Sequence, residues 1–300
     1  MYKKRTDLAV EAQEIWAESA EKTTELSGVQ ASSKTAQGIP VVTVKILDEI
    51  GAEKLCKPIG DYVTIELDEY INRREDAFSR TVHVIADEVK AALSLKDGET
   101  VLVAGLGNIA ITPDAIGPKV LTKTLVTRHL VDSQPEIFGM LRAVSAVKPG
   151  VLGTTGVESA DYISAIVRET KPDRVIVIDA LASRRLARVC RTVQITDTGI
   201  IPGSGVGNSR AAINFETLGV PVVAIGVPTV VDAGTLTSDL AEQIGIDVDS
   251  EDLREFGGDM IVTPKDIDSG VNDIAQVIGY ALNLAIHESI TIDDVNMLLG

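Results

Sequence analysis

The chain has 300 residues, 45% of them apolar and 24% charged, with 28 basic against 44 acidic side chains for a formal net charge of −16. These values exclude a disordered chain and leave room for a sizeable buried core, in one large domain or two small ones. The acidity argues against nucleic acid as a direct partner, since like charge repels phosphates, and no apolar run reaches the roughly 18 residues of a membrane span.

The chain opens with MYKKRTDLAVEAQEIW, which has basic residues but no uninterrupted apolar stretch, and so does not read as a secretory signal. Residues 1–30 read instead as an exposed amphipathic helix, with Leu8, Ala12, Ile15, Trp16 and Ala20 on one stripe and Thr6 or Asp7 as its cap. The polar stretch from Ser27 to Gly38 reads as a linker. Val41–Leu47 and Tyr62–Leu67 are β-like, and residues 73–94 show helical spacing. Cys56 and Cys190 lie far apart in the chain and make neither a disulfide framework nor a four-cysteine zinc site, which predicts a reducing, cytoplasmic setting.

From residue 100 the pattern changes. Thr100–Gly105, Arg174–Asp179 and Pro221–Val227 are short runs apolar on both faces, the mark of buried parallel strands. The stretches 115–130, 158–170 and 208–218 between them read as helices. The predicted fold class is α/β, a central, mostly parallel mixed sheet flanked by helices, with ligands and chemistry beyond the carboxyl ends of the strands. From Asp232 to Gly300 there are 15 acidic and two basic residues, yet Val271, Ile274, Val277, Ile278, Ala281, Leu282 and Ala285 keep a helical stripe. This region is predicted to form packed helices with a solvated acidic face rather than an acidic tail.

Few residues are placed to do chemistry. Gly105-Leu-Gly-Asn108 follows a strand, but it lacks the third glycine of a dinucleotide fingerprint, and no P-loop is present. Asp114 follows Pro113 ahead of a helical stretch and could serve as its cap; Asp179 closes the strand RVIVID and could cap the stretch Ala182–Arg188. Placed together on one sheet edge, two carboxylates could not both ionise freely. One would accept a proton from water and the other donate one, which is general acid–base hydrolysis of an amide. The same pair could equally hold a divalent metal. His83, His129 and His287 fall in helical patterns and read as structural; Cys190 has no clear histidine neighbour, and no serine elbow is present. The glycine-rich Pro202–Asn208 could present N–H groups to an oxyanion or a substrate backbone, or simply connect two elements tightly.

Over nearly its whole length the chain resembles the germination proteases of spore-forming bacteria. The resemblance rests on RTDLAVEA at 5–12, GLGN…TPDAIGP at 105–118, GTTGVES at 153–159 and VIDALASR at 177–184. It continues through DTGIIPGSGVGN at 197–208, IGVPTVVDA at 225–233 and MIVTPKDID at 260–268. The resemblance implies an endopeptidase that degrades small acid-soluble spore proteins during germination in the spore core, needs no cofactor, meets no membrane and assembles as a homotetramer. It implies a fold similar to the hydrogenase-maturation proteases, a phosphorylase/hydrolase-like α/β sheet. It also implies a self-processing zymogen, with functional aspartates at Asp114 and Asp179. The family's cleavage context, Thr-acid-apolar-Ala, is reproduced by Thr6-Asp7-Leu8-Ala9. Cleavage between Asp7 and Leu8 is therefore expected, dividing a propeptide of residues 1–7 from a single protease domain of residues 8–300. Asn108, Thr154, Thr155, Gly203, Ser204 and Gly205 are candidates to hold an extended substrate strand. Two other functions are compatible with the residues: a metal-dependent endopeptidase of the hydrogenase-maturation type, and a nucleotide- or phosphate-binding module on Gly105–Asn108.

Overall fold

A computed structural model describes residues 4–19, 26–246 and 260–299. Residues 1–3 of the expected propeptide and 247–259 of the acidic region lie outside the described residues.

The sheet is mixed, with the strand order β1-β2-β3-β7-β8-β6-β4-β5 and a short β9 pairing with β8. Its parallel part comprises β8 (Val222–Asp232), β6 (Arg174–Ser183), β4 (Val101–Leu106) and β5 (Val144–Gly150). The antiparallel part adds β7 (Thr192–Thr196), β3 (Gly60–Glu66), β2 (Ile39–Ile46) and β1 (Val29–Ala36) on one side, and β9 (Ile261–Val262) at the far end of β8.

The apolar strands are buried on both faces because helices cover both. Val101 and Val103 of β4 face one core with α3 (Ala77–Leu93) and α7 (Ile267–Ile286). Leu102, Ala104 and Leu106 face a second core with α5 (Ser159–Thr170). Within the first core the Phe78 ring meets Tyr280 edge-on at 5.4 Å. The other helices of five or more residues include α1 (Ala9–Ser19), α2 (Glu49–Leu55), α4 (Ile116–Val120), α6 (Ala233–Gln243) and α8 (Ile292–Leu299), beside several single turns. No helix among the described residues is long and apolar enough to cross a membrane.

Several local expectations are corrected, among them the exposed helix over 1–30: only Ala9–Ser19 is helical among the described residues of that stretch, its first turn is buried, and β1 begins at Val29. The polar stretch 27–38 is not a linker: it forms edge strand β1 and turns into β2 at Gln37–Gly38, both with positive φ, as a two-residue hairpin requires. Its side chains are polar because nearly all are solvated, and such an edge is protected from further pairing by its Lys34. Neither Thr6 nor Asp7 is the residue that precedes α1, which begins at Ala9: the Thr6 hydroxyl accepts the Leu8 N–H and donates to Glu11, and the Asp7 carboxylate is held by Ala182 and Ser204. Residues 115–130 are α4 and two further short helical pieces rather than one helix, and of 208–218 only Phe215–Leu218 is helical. Finally, β6 continues past Asp179 to Ser183, because the 11-residue β8 offers Val230 and Val231 as partners to Ala182 and Ser183. No helix follows for Asp179 to cap.

Candidate active site

β4 and β6 run side by side with Gly105 opposite Ile178, so Gly107 and Asp179 emerge at neighbouring points of the sheet. After β4 the chain folds back over its own end. Gly105 packs against the Gly117 carbonyl, and Gly117 lies against the backbone of Leu106 and Ile178. Gly107, at φ +107°, sits so close to the Asp114 carbonyl that a Cβ there would overlap it. This tight reversal holds Asp114, the last residue of a 3-10 turn at Thr112–Asp114, above the sheet. The Asn108 N–H donates to Asp114 Oδ2 at 2.8 Å. The glycine turn therefore serves a carboxylate of the chain itself, and Asn108 acts through Asp114.

Asp114 and Asp179 line one cleft of about 410 Å³. Asp179 is 6% exposed and, among the described residues, accepts only its neighbour's Ala180 N–H, at 2.9 Å. Burial first, then the charges of Asp114 and Asp7, push its carboxyl well above the usual range, against the pull of that N–H. Burial also raises Asp114, opposed by the Asn108 N–H. Both carboxyls are thus biased toward holding a proton, Asp179 the more strongly. Among the described residues no group of three or more His, Cys, Asp or Glu side chains is arranged to hold a metal ion.

Asp7 borders the same cleft. Residues 4–8 are threaded along the site ahead of α1, with a bend at Asp7. The Asp7 N–H donates to the Ala182 carbonyl, and Asp7 Oδ2 accepts the Ala182 N–H, each at 2.9 Å. Ser204 Oγ donates to Asp7 Oδ1 at 2.7 Å. Gly205 faces this carboxylate so closely that a Cβ would overlap Oδ2. Leu8 is fully buried against Leu181, with Val42 and Ile200 beside it. Upstream, Arg5 pairs with Asp232 at 3.5 Å and Lys4 with Asp239 and Glu242 at 2.9 and 2.7 Å. Downstream, Glu11 is wholly buried yet fully served: it accepts from the Thr6 hydroxyl, the N–H groups of Arg184 and Arg185, and the Arg188 guanidinium.

Of the residues singled out from the sequence, the structure brings together Asp7, Leu8, Asn108, Asp114, Asp179, Gly203, Ser204 and Gly205. It does not bring in Thr154 or Thr155. Their hydroxyls are spent on the Val151 carbonyl, and the cleft wall is formed by residues 151–153 and 158–160 around them. Cys190 is buried outside the cleft, its thiol pushed up to about 12 chiefly by burial. His287, likewise outside, is pushed down to about 4.

Sequence reasoning missed Lys57 and Gln194. Lys57 follows the left-handed Cys56 that ends α2, and Gln194 is a buried polar residue in the middle of β7. A glutamine among the buried positions of a strand was the one visible signal; Lys57 carried none.

The sequence profile described as germination protease matches residues 9–245. The germination protease of Clostridium perfringens is 42% identical over the full length of both chains. That of Caldanaerobacter subterraneus is 43% identical over 98% of each, and that of Priestia megaterium is 38% identical over 96% of this chain and 95% of its own. A NiFe hydrogenase maturation protease from Thermococcus kodakarensis aligns at 15% identity and a TM-score of 0.34, over 62% of this chain and 94% of that one. From full-length identity at this level, together with the profile match, the chain belongs to the germination protease family and is a protease.

Proposed function

We propose that this chain is a carboxylate-pair endopeptidase that begins the degradation of small acid-soluble spore proteins during germination, acting in the spore core as a homo-oligomer and made as a zymogen that cuts itself between Asp7 and Leu8. The observation that carries this reading is the placement of the Asp7–Leu8 segment against the cleft that holds Asp114 and Asp179. The Thr-acid-apolar-Ala sequence lies with its acid on Ser204 and the Ala182 N–H and its apolar residue fully buried.

In the proposed reaction Asp179, the more strongly raised carboxyl, holds the proton, and Asp114, steadied by the Asn108 N–H, is ionised. Asp114 takes a proton from water as the water oxygen adds to the Asp7 carbonyl carbon. When the tetrahedral adduct collapses, the C–N bond breaks and the Leu8 nitrogen leaves with a proton from Asp179. A proton passing from Asp114 to Asp179 restores the pair. One water is consumed, and a carboxyl and an amine are formed.

The test is to incubate the full chain and follow its N-terminus by mass spectrometry, beside D114N and D179N, with a Thr-Glu-Ile-Ala peptide as a second substrate. A new terminus at Leu8, and loss of about 10²–10⁴-fold in rate on removing either carboxylate, is expected. A terminus elsewhere, or undiminished cleavage by both variants, defeats the reading.

A further inference from the structure

The two sides of the Asp7–Leu8 peptide unit meet different chemistry. Asp7 borders the large cleft with Asp114 and Asp179, and it also borders a second, smaller pocket of about 140 Å³ lined by Lys57, Gln194 and Ser204. Toward that second pocket its main-chain carbonyl oxygen accepts from Lys57 Nζ at 2.8 Å and from Gln194 Nε2 at 3.2 Å. The orientation of the Gln194 amide is fixed by its other end, where Oε1 accepts the Ala9 N–H at 2.7 Å. Only the nitrogen is left to face the Asp7 carbonyl.

Lys57 has no ordinary structural reason to point there. The Asp7 carboxylate, its natural partner, is taken by the Ala182 N–H and the Ser204 hydroxyl. Among the described residues Lys57 Nζ forms no ion pair; its one side-chain hydrogen bond goes to a neutral carbonyl. Burial accordingly lowers the pKa of the ammonium, and the nearby charges of Asp7, Cys56 and Glu11 offset this only in part. A desolvated cation aimed at a neutral oxygen is poorly repaid in the ground state and well repaid once that oxygen becomes an anion.

We propose that Lys57 and Gln194 are the oxyanion-binding pair of this protease, two donors fixed on the carbonyl whose carbon the water attacks, and that Lys57 is a catalytic residue in its charged form. The inference rests on the carboxylate-pair reading above and adds to it the opposite wall of the site. As the water oxygen adds to the Asp7 carbon, the π electron pair of the C=O bond moves onto the oxygen held by Lys57 and Gln194. Collapse returns that pair to re-form C=O as the bond to the Leu8 nitrogen breaks. Lys57 gives up no proton in either step; it stabilises charge. The donors belong to α2's end and to β7, two separate elements, and the Ala9 N–H of the bound strand itself turns the Gln194 amide nitrogen toward the carbonyl.

The test measures first-order self-cleavage of the full-length chain as wild type, K57M, K57R and D114N, across pH, with thermal melting of each variant to establish that it folds. K57M is expected to slow cleavage about 10²–10³-fold, the loss found when one oxyanion donor is removed. K57R, which stays charged, is expected to recover much of that rate, a rescue by the conservative variant that a merely structural lysine would not produce. Cleavage by K57M within threefold of wild type, with D114N inactive, overturns the oxyanion assignment and leaves the carboxylate pair standing. Should K57M fail to fold, K57Q, which is uncharged and polar, decides: cleavage within threefold of wild type overturns the assignment. If D114N cleaves as fast as wild type, or wild type does not cleave at all, the underlying reading fails and this inference falls with it.

Discussion

Asp7 and Ala182 hold each other twice: the Asp7 N–H reaches the Ala182 carbonyl and the Ala182 N–H reaches the Asp7 carboxylate, both at 2.9 Å. The acidic side chain is read by the backbone of β6, the strand that also carries Asp179 three residues earlier. On the reading proposed above, recognition of the residue before the cut and supply of one carboxylate come from one rigid element. Ser204 completes the recognition by donating to the other carboxylate oxygen at 2.7 Å.

Ser204→Ala removes a hydrogen bond to a charged group. Such bonds are worth about 1.5–3 kcal/mol. Self-cleavage is expected to slow by roughly 10- to 100-fold, since 1.4 kcal/mol is about tenfold. The loss should shrink when Asp7 is replaced by Ser in the same chain, because the interaction being deleted has gone. Cleavage rates of the two single variants and the double variant, followed by mass spectrometry, check the coupling; simple additivity would break the link between Ser204 and Asp7.

Gly205→Ala adds a methyl where the Asp7 carboxylate sits. Gly205 does not have a positive φ, so the backbone can accept alanine. The chain is expected to fold and to lose self-cleavage by about 10²-fold, the scale of a 1 Å misplacement of the reacting bond. The checks are thermal melting and the rate of appearance of the Leu8 terminus.

Asp179→Asn is expected to stabilise the chain at neutral pH while abolishing cleavage. The sign follows from the raised carboxyl. Between the ordinary aspartate pKa, about 3.9, and the higher folded value, the unfolded chain ionises and the folded chain does not, so rising pH favours unfolding. Asparagine removes that penalty. A gain on the order of 1 kcal/mol is expected at pH 7. It should disappear below about pH 3.9, where aspartate is protonated in both states. Urea unfolding of both proteins at pH 7 and pH 3 reads this out; a gain of equal size at both pH values would assign it to packing instead.

Arg188→Met leaves Glu11, fully buried, without its guanidinium partner at 3.2 Å. Breaking a buried pair from one side costs about 3–5 kcal/mol. Glu11 keeps the Arg184 and Arg185 N–H groups, so the lower end is expected, with a matching fall in the urea midpoint.

The parallel core was legible because β4, β6 and β8 are apolar on both faces, and α3, α5 and α7 because their apolar residues repeat at helical spacing. Asp179 was reachable by asking which acid ends such a strand, and Asp114 from the turn that follows another, although Asp179 proved to lie inside a strand that its long neighbour β8 extends. β1 was not legible: a solvated edge strand has the composition of a linker. Thr154 and Thr155 look like substrate-binding hydroxyls until Val151 is seen to take both. Lys57 and Gln194 were hidden for a different reason. Their role exists only because residues 4–9 cross between α2, β6 and β7, and no local pattern records a meeting of segments so distant in sequence.

The ion pairs of Lys4 and Arg5 with Asp232, Asp239 and Glu242 have a consequence for how the finished enzyme meets its targets. On the zymogen reading, loss of residues 1–7 carries away Lys3, Lys4 and Arg5 against Asp7, and the formal charge moves from −16 to −18. The three carboxylates at the upstream edge lose the cations that Lys4 and Arg5 supplied. An incoming strand with a basic residue two or three positions before its acid is then drawn in from about 8 Å away at physiological salt, and less far as salt rises. The same field pushes back a polyanion such as DNA.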